Sequence, residues 1–230
     1  MRSFIIKIDG HPASENQAER CMESSVNNGY IAQYFSGTTP KTLPAEEQKY
    51  NFEPIEPSRA YNFKKENIKK YYTKKSCFMN HVRLWNECVN SKEALIVLEH
   101  DALAKRKWDN PNFEEILILN INSAKTHNRN IGGFMNGYTY KDTGDTEVIE
   151  LNYDFRYWKE NLWKGGCLMP GTAAYAVTPK GAQRLLDSLF KNGWDQSDFF
   201  INSKNVNIEY ASPEYFGFNG QNLRTSGGLL

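Results

Sequence analysis

An apolar run in the middle of the sequence ends abruptly in charged residues. Residues 94–98 read Ala-Leu-Ile-Val-Leu, and Glu99, His100 and Asp101 follow at once. A continuous apolar run of this length suits a strand that is buried on both faces of a mostly parallel sheet in an α/β protein. Ligands of such proteins bind in the crevice beyond the carboxyl ends of the strands. The pattern therefore predicts that Glu99 and Asp101 lie at the lip of a ligand site.

Glu99 and Asp101 are candidate ligands of a divalent cation. They are two positions apart, so their side chains lie on the same side if the chain stays extended. Two carboxylates there suit a divalent cation, which can in turn hold phosphate groups. The alternative is a strand that simply ends in polar residues, and the spacing alone does not decide between the two.

The start of the chain predicts a βαβ unit. Residues 4–8 have the pattern of a strand, and residues 9–12 break it with Gly and Pro. A helix from about 15 to 27 follows, for which Ser14 is the expected N-cap, and residues 30–35 are the expected second strand. This is the opening of a nucleotide-binding α/β fold. Neither a Gly-x-Gly-x-x-Gly motif nor a P-loop follows the first strand, which argues against the dinucleotide-binding version.

The later elements follow from apolar periodicity and capping residues. Thr178 followed by Pro179 is a favoured helix start. The pattern predicts helices near residues 64–72, 76–90 and 179–190, and strands near 94–98, 116–121, 171–178 and 206–210.

The length of 230 residues fits one domain, which we expect to span residues 1–216. Residues 37–63, rich in Pro, are expected to form a surface insertion, either a mobile flap or a plain excursion. Residues 122–164 are expected to be an irregular, aromatic-rich region, whose rings either stack on sugars or pack a loop-rich subdomain. Residues 217–230 are expected to be a loosely held polar tail.

The charge of the chain bears on its partners. The formal net charge is +1, so no global basic field is available to hold nucleic acid. Six lysines between Lys64 and Lys75 are the exception, and they form either a solvated helix face or a contact for phosphates or a polyanionic acceptor.

The cysteines and the N-terminus indicate the compartment. The four cysteines (Cys21, Cys77, Cys88 and Cys167) match no zinc module, and buried reduced thiols are the expected state. The sequence has neither a signal-peptide pattern at its start nor an apolar run long enough for a membrane span. We therefore expect a cytoplasmic protein.

Four segments follow one another in an order that is known from one protein family. Residues 5–9 with Arg20 resemble an opening "INLD…R" segment, residues 76–85 a "GC-x-x-SH…W" helix, residues 95–102 an "ILEDD" strand end, and residues 172–186 a "TAAYLIS-x-KGA-x-x-LL" strand and helix. The order and spacing resemble glycosyltransferase family 25, which includes bacterial lipooligosaccharide galactosyltransferases and collagen galactosyltransferases. The resemblance covers less than half of the chain and leaves out residues 37–63 and 122–161.

The resemblance implies a GT-A fold, a nucleotide-sugar donor and Mn²⁺ or Mg²⁺. It implies transfer of a hexose, galactose or glucose, from a UDP-linked donor to a hydroxyl of a glycan or other macromolecule, with inversion. The residues that it implies are Asp101 and Glu99 for the metal, and Asp9, Arg20, Asn80, His81 and Glu99 for the nucleotide sugar. His81 holds either the nucleotide or the acidic loop. The carboxylate expected to accept the acceptor proton is Asp198, with Asp195 as the second candidate.

Two departures from the family pattern leave other functions open. Asn80 stands where the family often has Ser, and His100 where it often has Asp. The first alternative is a carbohydrate- or protein-binding module that has kept the fold and lost the chemistry. The second, motivated only by the lysine run, is transfer of a sugar to a modified nucleic-acid base.

Overall fold

A central sheet of eight strands, flanked by helices, organises the chain in the computed structural model. The structure describes residues 1–50, 52–120, 138–142, 146–151, 172–202, 205–211 and 213–218. The strands are β1 (Arg2–Lys7), β2 (Ile31–Ser36), β3 (Leu95–Glu99), β4 (Ala102–Ala104), β5 (Ile116–Ile118), β6 (Tyr138–Asp142), β7 (Thr146–Leu151), β8 (Ala174–Val177), β9 (Ile208–Ala211) and β10 (Phe216–Phe218). The helices are α1 (Pro12–Asn27), α2 (Leu43–Glu47), α3 (Arg59–Glu66), α4 (Ile68–Ser91), α5 (Pro179–Asn192) and α6 (Ser197–Phe200).

The strand order of the sheet is β2-β1-β3-β8-β5-β9-β7-β6. The pairings of β2, β1 and β3 and of β5 and β9 are parallel, and β8 and β7 run against their neighbours. Most strands of the described sheet therefore point the same way. The predicted class, α/β with a single mostly parallel sheet flanked by helices, is confirmed.

The strand before the acidic residues is buried on both faces, as its apolar run predicts. Leu95 and Val97 join the core beneath α4 and α5, and Ile96 and Leu98 join a second core that includes residues of α1. All four side chains are fully buried. Because every position of the run is apolar, each face of the sheet can be covered by a helix layer.

Helix α1 begins earlier than the sequence predicts. Its N-cap is His11, whose Nδ1 accepts a hydrogen bond from the Ser14 backbone N–H, and Pro12 occupies the first turn. Pro at this position is pre-set for a helix start and has no N–H to satisfy. The predicted N-cap, Ser14, is instead a helix residue whose hydroxyl accepts a hydrogen bond from the backbone N–H of Ile8 at 3.0 Å.

The two helices predicted at 64–72 and 76–90 have different boundaries in the structure. Helix α4 is continuous from Ile68 to Ser91, and α3 ends just before Asn67. The Asn67 side chain accepts a hydrogen bond from the backbone N–H of Lys70, so this residue caps α4. A helix start at Asn67 was not predicted, because the basic run around it lacks the apolar periodicity that would mark the first turn of α4. Among the described helices, none combines the length and apolar character that a bilayer crossing requires.

Residues 37–63 were predicted to be a surface excursion, but part of this segment is built into the core. Leu43 lies in α2, Ala60 lies in α3, and Phe52 lies between the two helices in the sequence. All three residues are buried in the core beneath α4. Pro54 forms an isolated bridge with Trp194. The prolines keep the helices short, as expected, while the apolar residues between them supply buried surface.

Residues 122–164 were predicted to be irregular, yet β6 and β7 form an antiparallel pair there, and β7 pairs with β9. Thr, Tyr, Val and Ile in these strands favour sheet, and Gly144 stands between them in the sequence. The remainder of that segment, 122–137, 143–145 and 152–164, lies outside the described residues.

The predicted tail begins with a short strand. Residues 216–218 form β10, which pairs antiparallel with β4, so that Phe218 lies opposite Ala102. Residues 219–230 lie outside the described part of the chain.

Candidate functional site

The site lies where β3 ends. His100 and Asp101 form a turn between β3 and β4, so the chain does not stay extended from Glu99 to Asp101. The sequence predicts the Glu99 and Asp101 side chains on the same side only if the chain stays extended, and this condition is not met. β4, paired with β10, follows the turn directly, and this pairing fixes the position at which the chain leaves the acidic residues.

The antiparallel strand β8 brings a threonine to the end of β3. Leu98 pairs with Ala174, and the Glu99 N–H donates to the carbonyl oxygen of Ala173 at 2.8 Å. Because β8 runs against β3, the residues just before β8 lie beside Glu99. Thr172, two residues before the first residue of β8, is 3% exposed, and its Oγ1 donates to Oε1 of Glu99 at 2.5 Å.

Glu99 is held as a carboxylate. Nε2 of His81, a buried residue of α4, lies 3.7 Å from the same oxygen, Oε1. Burial raises the pKa of the Glu99 carboxyl, but His81 and the Thr172 hydroxyl outweigh burial and lower this pKa to about 2. The Glu99 side chain remains 37% exposed, so an ionised carboxylate faces open space at the strand end.

A buried aromatic chain orients His81. The indole N–H of Trp85 donates to the Tyr175 hydroxyl at 3.0 Å, and this hydroxyl lies 3.0 Å from Nδ1 of His81. Since an indole nitrogen can only donate, the tyrosine hydrogen is available to Nδ1. The His81 proton then lies on Nε2, toward Glu99. Of the two roles open for His81 in the sequence, contact with the acidic strand end is the one observed.

Asp198 stands on the other side of Thr172. Its Oδ1 lies 3.2 Å from the Thr172 backbone nitrogen and 3.2 Å from Oγ1 of the same residue. Burial, and then the negative charge of Glu99, raise the pKa of the Asp198 carboxyl above its usual value. A carboxylate with a raised pKa is a better proton acceptor than an ordinary one, which suits the role of a base.

Asp195 has different surroundings and lies in the core. It is 1% exposed, and its Oδ1 accepts hydrogen bonds from the backbone N–H groups of Ala60, at 3.0 Å, and Gln196, at 2.8 Å. Ala60 lies in the first turn of α3. Asp195 thus caps a backbone donor in the first turn of α3 and another in its own loop.

Asp101 carries a buried oxygen that has no hydrogen-bond partner among the described residues, Oδ1. Burial, and then the charge of Glu99, raise the pKa of the Asp101 carboxyl to about 7. A buried carboxylate oxygen without a donor is costly unless a positive group meets it. This oxygen therefore fits a cation ligand.

The described residues fit a cation held with the help of its substrate rather than by a closed protein cage. Within the described ranges, no group of three His, Cys, Asp or Glu side chains is arranged to hold a metal ion. Mg²⁺ is commonly bound by one or two carboxylates, with substrate phosphates and water completing its shell. Asp101 with its unpartnered oxygen and the ionised Glu99 match that donor set.

His100 ties the acidic turn to the start of α1. Its Nδ1 lies 3.2 Å from Oγ of Ser14, and Ser14 in turn accepts from the Ile8 N–H. Burial lowers the pKa of His100 and so favours the neutral ring. The residue that departs from the family pattern thus has a local contact of its own.

Asp9 lies just before α1 in the chain, and Arg20 lies within this helix. Asp9 accepts from the Ser36 hydroxyl at 2.6 Å and pairs with Lys7 at 3.0 Å, and these two contacts, Ser36 first, lower the pKa of Asp9. Arg20 is exposed and lies eight residues beyond the first residue of α1, or about 12 Å along the helix axis. Arg20 therefore lies away from the turn between β1 and α1, in which Asp9 lies, because a helix carries the chain steadily away from its start.

Asn80 fastens the segment that follows β2. Its Oδ1 accepts the backbone N–H of Thr38 at 2.6 Å, and both residues are buried. Arg83, one turn further along α4, donates to the Ser36 carbonyl and the Thr38 hydroxyl, each at 3.0 Å. The observed contact of Asn80 is thus with the protein backbone.

Sequence reasoning missed three residues of the site. Thr172 and Tyr175 belong to a quoted motif but had been treated only as strand residues. Cys77 lies near Glu99 and Asp198, and burial raises the pKa of its thiol to about 11. Cys77 and His81 are four residues apart on α4, and this spacing was the available signal.

Most lysines of the basic run are engaged by the protein itself. The pairs are Lys64 with Glu53, Lys65 over the Tyr61 ring, Lys70 over the Phe63 ring, and Lys75 with Glu47. Lys75 is 5% exposed. The run therefore does not present a uniform basic face to a nucleic acid.

The chain is similar to a known protein family in sequence and to a solved structure in fold. A family model, described as glycosyltransferase family 25 (LPS biosynthesis protein), matches residues 13–201. No curated protein matches the chain in sequence. Among solved structures, the crystal structure of mouse xyloside xylosyltransferase 1 in its apo form is similar over 86% of this chain and 79% of that chain, with 11% identity and a TM-score of 0.36. The family match spans well over half of the sequence.

Proposed function

This chain belongs to glycosyltransferase family 25, and we propose that it transfers a hexose, galactose or glucose, from a UDP-linked donor to a hydroxyl acceptor, with Mn²⁺ or Mg²⁺ as cofactor. The acceptor class is a glycan or another macromolecule. The words "LPS biosynthesis" in the family description make a surface glycan the first acceptor to test. The cytoplasmic location expected from the sequence remains a prediction.

One observation carries this proposal. An ionised carboxylate (Glu99), a carboxylate oxygen without a partner (Oδ1 of Asp101) and a carboxyl with a raised pKa (Asp198) surround the end of β3. Carboxylates whose pKa values are shifted in opposite directions within one crevice are typical of sites that combine charge neutralisation with proton transfer.

The proposed roles follow from the chemistry of glycosyl transfer. A bound divalent cation would neutralise the diphosphate that leaves from the donor. Asp101 would hold the cation directly, and Glu99 directly or through water. His81 and Thr172 keep Glu99 ionised and oriented, since both contact its Oε1.

Asp198 is the proposed base. Inversion requires that a carboxylate accept the proton of the acceptor hydroxyl as that oxygen attacks the anomeric carbon. Asp198 is close to Glu99, since both bind Thr172, while Asp195 already accepts two backbone N–H groups in the core. These contacts favour Asp198 over Asp195.

The two departures from the family pattern have local contacts that fit an active enzyme. His100 contacts Ser14, and Asn80 accepts from the Thr38 backbone. Both residues can thus support the loops of the site without removing the carboxylates, so neither favours a binding module. The paired lysines likewise lend no support to a nucleic-acid acceptor.

A thermal-shift panel tests the proposed donor and metal. UDP, GDP, CMP and UDP-sugars are each added with Mn²⁺ and with a chelator, because a ligand that binds only the folded state raises the Tm. The expected result is a shift with UDP and UDP-sugars that requires Mn²⁺ and disappears in Asp101→Ala. A shift with another nucleotide would correct the donor. No shift with any nucleotide would contradict the proposal and return weight to a binding module.

A further inference from the structure

Thr172 touches both of the carboxylates to which the proposed function assigns chemistry. Its hydroxyl lies 2.5 Å from Oε1 of Glu99 and 3.2 Å from Oδ1 of Asp198. Its backbone nitrogen lies 3.2 Å from the same oxygen of Asp198. The two acids are 99 positions apart in the sequence, and one residue connects them.

The hydrogen-bonding capacity of threonine fixes how the contacts are shared. A hydroxyl has one hydrogen to donate and can accept from others. The shorter contact assigns that hydrogen to Glu99, so the backbone N–H is the group that holds Asp198. The hydroxyl of Ser197, 3.3 Å from Oγ1 of Thr172, can donate to it and complete its bonding.

Among the described residues, Glu99 and Asp198 each contact the protein through one of their two carboxylate oxygens. Among the described residues, the contacts of Glu99 with Thr172 and His81 both fall on Oε1, and those of Asp198 both fall on Oδ1. Within the part of the chain that the structure describes, the second oxygen of each acid has no such contact and is available to a ligand. A carboxylate that is anchored through one oxygen presents the other in a fixed direction.

We propose that Thr172 is a positioning residue that sets the spacing between the metal-side carboxylate, Glu99, and the base, Asp198. It directs Oε2 of Glu99 toward the cation and Oδ2 of Asp198 toward the acceptor hydroxyl. The inference rests on the proposed function for the identity of these two ligands. It adds a residue whose effect passes through two acids at once, since the spacing of base and cation determines the alignment of the reacting atoms.

Three variants isolate the hydroxyl. Thr172→Val keeps the shape and the backbone N–H but removes the hydroxyl, and Thr172→Ser keeps the hydroxyl but removes the methyl group. The matched control is Thr73→Val in α4, because Thr73 is also buried and its hydroxyl donates only to the Lys69 carbonyl. Circular dichroism and Tm establish that all three proteins are folded.

Mn²⁺ binding is measured first, because it does not depend on turnover. The loss of the free Mn²⁺ signal in electron paramagnetic resonance reports the affinity of each variant for the metal alone. Outer-shell partners of metal ligands typically change affinity by about 10- to 100-fold. We expect Thr172→Val to weaken Mn²⁺ binding about tenfold, and Thr172→Ser and Thr73→Val to stay within about threefold of the wild type.

Steady-state kinetics with UDP-galactose or UDP-glucose and saturating Mn²⁺ form the second readout. We expect kcat of Thr172→Val to fall by about 10- to 100-fold, with KM for the donor within about threefold, since a positioning effect acts on the transition state. Thr172→Ser should restore most of the loss. If Thr172 had a purely structural role, its substitution would change Tm, and the kcat values of Thr172→Val and Thr172→Ser would fall together.

The outcomes separate the inference from the proposed function. Equal Mn²⁺ affinity in Thr172→Val and wild type, an equal kcat at saturating metal, or a serine variant as impaired as the valine variant would each overturn the bridging role. A wild type that binds Mn²⁺ neither alone nor with UDP present would overturn both the inference and the proposed metal; if binding requires UDP, the variants are compared with UDP present. The expected Mn²⁺ pattern without turnover of any donor would contradict the proposed function while leaving the orientation of Glu99 by Thr172 in place.

Discussion

Asp198 and Asp195 lie three residues apart, but their surroundings predict opposite consequences of losing the charge. Asp198→Asn should lower kcat by about 10²- to 10⁴-fold, the usual contribution of a general base, with little change in Tm. Asp195→Asn should lower stability, because the charged oxygen that accepts two buried backbone N–H groups is replaced by a weaker, neutral acceptor. Kinetics and thermal unfolding of both variants check this. A Asp198→Asn enzyme with near-normal kcat would exclude it as the base.

Asp101 predicts a pH effect on the metal-free protein. Its pKa is raised from 3.8 to about 7, so the folded state favours the protonated carboxyl. The stability from this group is fully present below pH 3.8 and is lost as the pH rises toward about 7. In chelator, Asp101→Asn should therefore be more stable than the wild type at about pH 8, by on the order of 1–3 kcal/mol, and the advantage should disappear in acid.

Urea unfolding of both proteins in chelator, at several pH values, measures this difference. A variant that is less stable than the wild type at every pH would mean that Asp101 has a stabilising partner. Saturating Mn²⁺ should reverse the order in favour of the wild type, because the metal then meets the carboxylate.

At the residue level, the sequence indicated the acids as candidates but not their partners. Glu99 and Asp101 stand out because they follow directly on an apolar run, and Asp198 was suggested by the family resemblance. Thr172 and Tyr175 contact residues that are 73 and 94 positions away. Such contacts depend on strand register, for which no local pattern exists.

The junction between β5, α5 and β9 depends on one buried glutamate. Glu115 is fully buried and binds the Arg184 guanidinium at 2.7 and 3.0 Å and the backbone N–H of Asn207 at 2.7 Å. Glu115→Gln should cost about 1–3 kcal/mol, because a buried carboxylate loses its charge-assisted hydrogen bonds, while the half-exposed Arg184 can still be solvated. The neighbouring Glu114→Gln, at an exposed ion pair with Lys180, should cost less than about 1 kcal/mol.

The same glutamate predicts a pH dependence of stability. Burial raises the pKa of Glu115, but the Asn207 N–H and the Arg184 charge outweigh burial and lower it below 4.5. The stability that ionised Glu115 contributes is therefore present above pH 4.5 and is lost as the pH falls through the lowered pKa that this group has in the folded state. Denaturant unfolding should show the gap between wild type and Glu115→Gln narrowing in acid, and a gap that widens would contradict the account.

Helix α5 approaches the sheet closely at one glycine. A Cβ at Gly181 would lie 2.5 Å from the Glu115 carbonyl oxygen. Gly181→Ala should therefore lower stability by about 1–3 kcal/mol, although Ala is the better helix former by about 1 kcal/mol. Gln183→Ala, at an exposed position of the same helix, is the control and should change stability by less than about 0.5 kcal/mol. A stabilised Gly181→Ala protein would show that the helix can move outward.

Elements with a strong local signal were predicted, and those that depend on tertiary pairing were not. The buried run gave β3, and the Thr178 cap with Pro179 gave α5, whose cap is observed. The pair β6 and β7 was missed, because charged residues obscure the alternation of apolar and polar residues in these strands. In addition, β7 pairs with β9, which is distant in the sequence. The boundary at Asn67 was missed because a single capping residue divides a basic run.

At the scale of the whole molecule, the sheet assembles the candidate site from three distant segments. The end of β3 carries Glu99, the start of β8 follows Thr172, and α6 carries Asp198. The antiparallel entry of β8 next to β3 brings these segments together, so the chemistry depends on the mixed strand order and not on any one motif. A family match over residues 13–201 is consistent with a site that needs most of the chain.

The release of UDP from UDP-galactose and UDP-glucose, with Mn²⁺ and a hydroxyl acceptor, tests this account most directly when wild type and Asp101→Ala are compared. We predict metal-dependent release by the wild type that a chelator abolishes. Folded Asp101→Ala protein should lose at least about 10²-fold of that activity, since charge stabilisation of the leaving group supplies several kcal/mol. Equal activity of the two proteins, or full activity in chelator, would contradict the claim that the end of β3 is a metal-dependent transferase site.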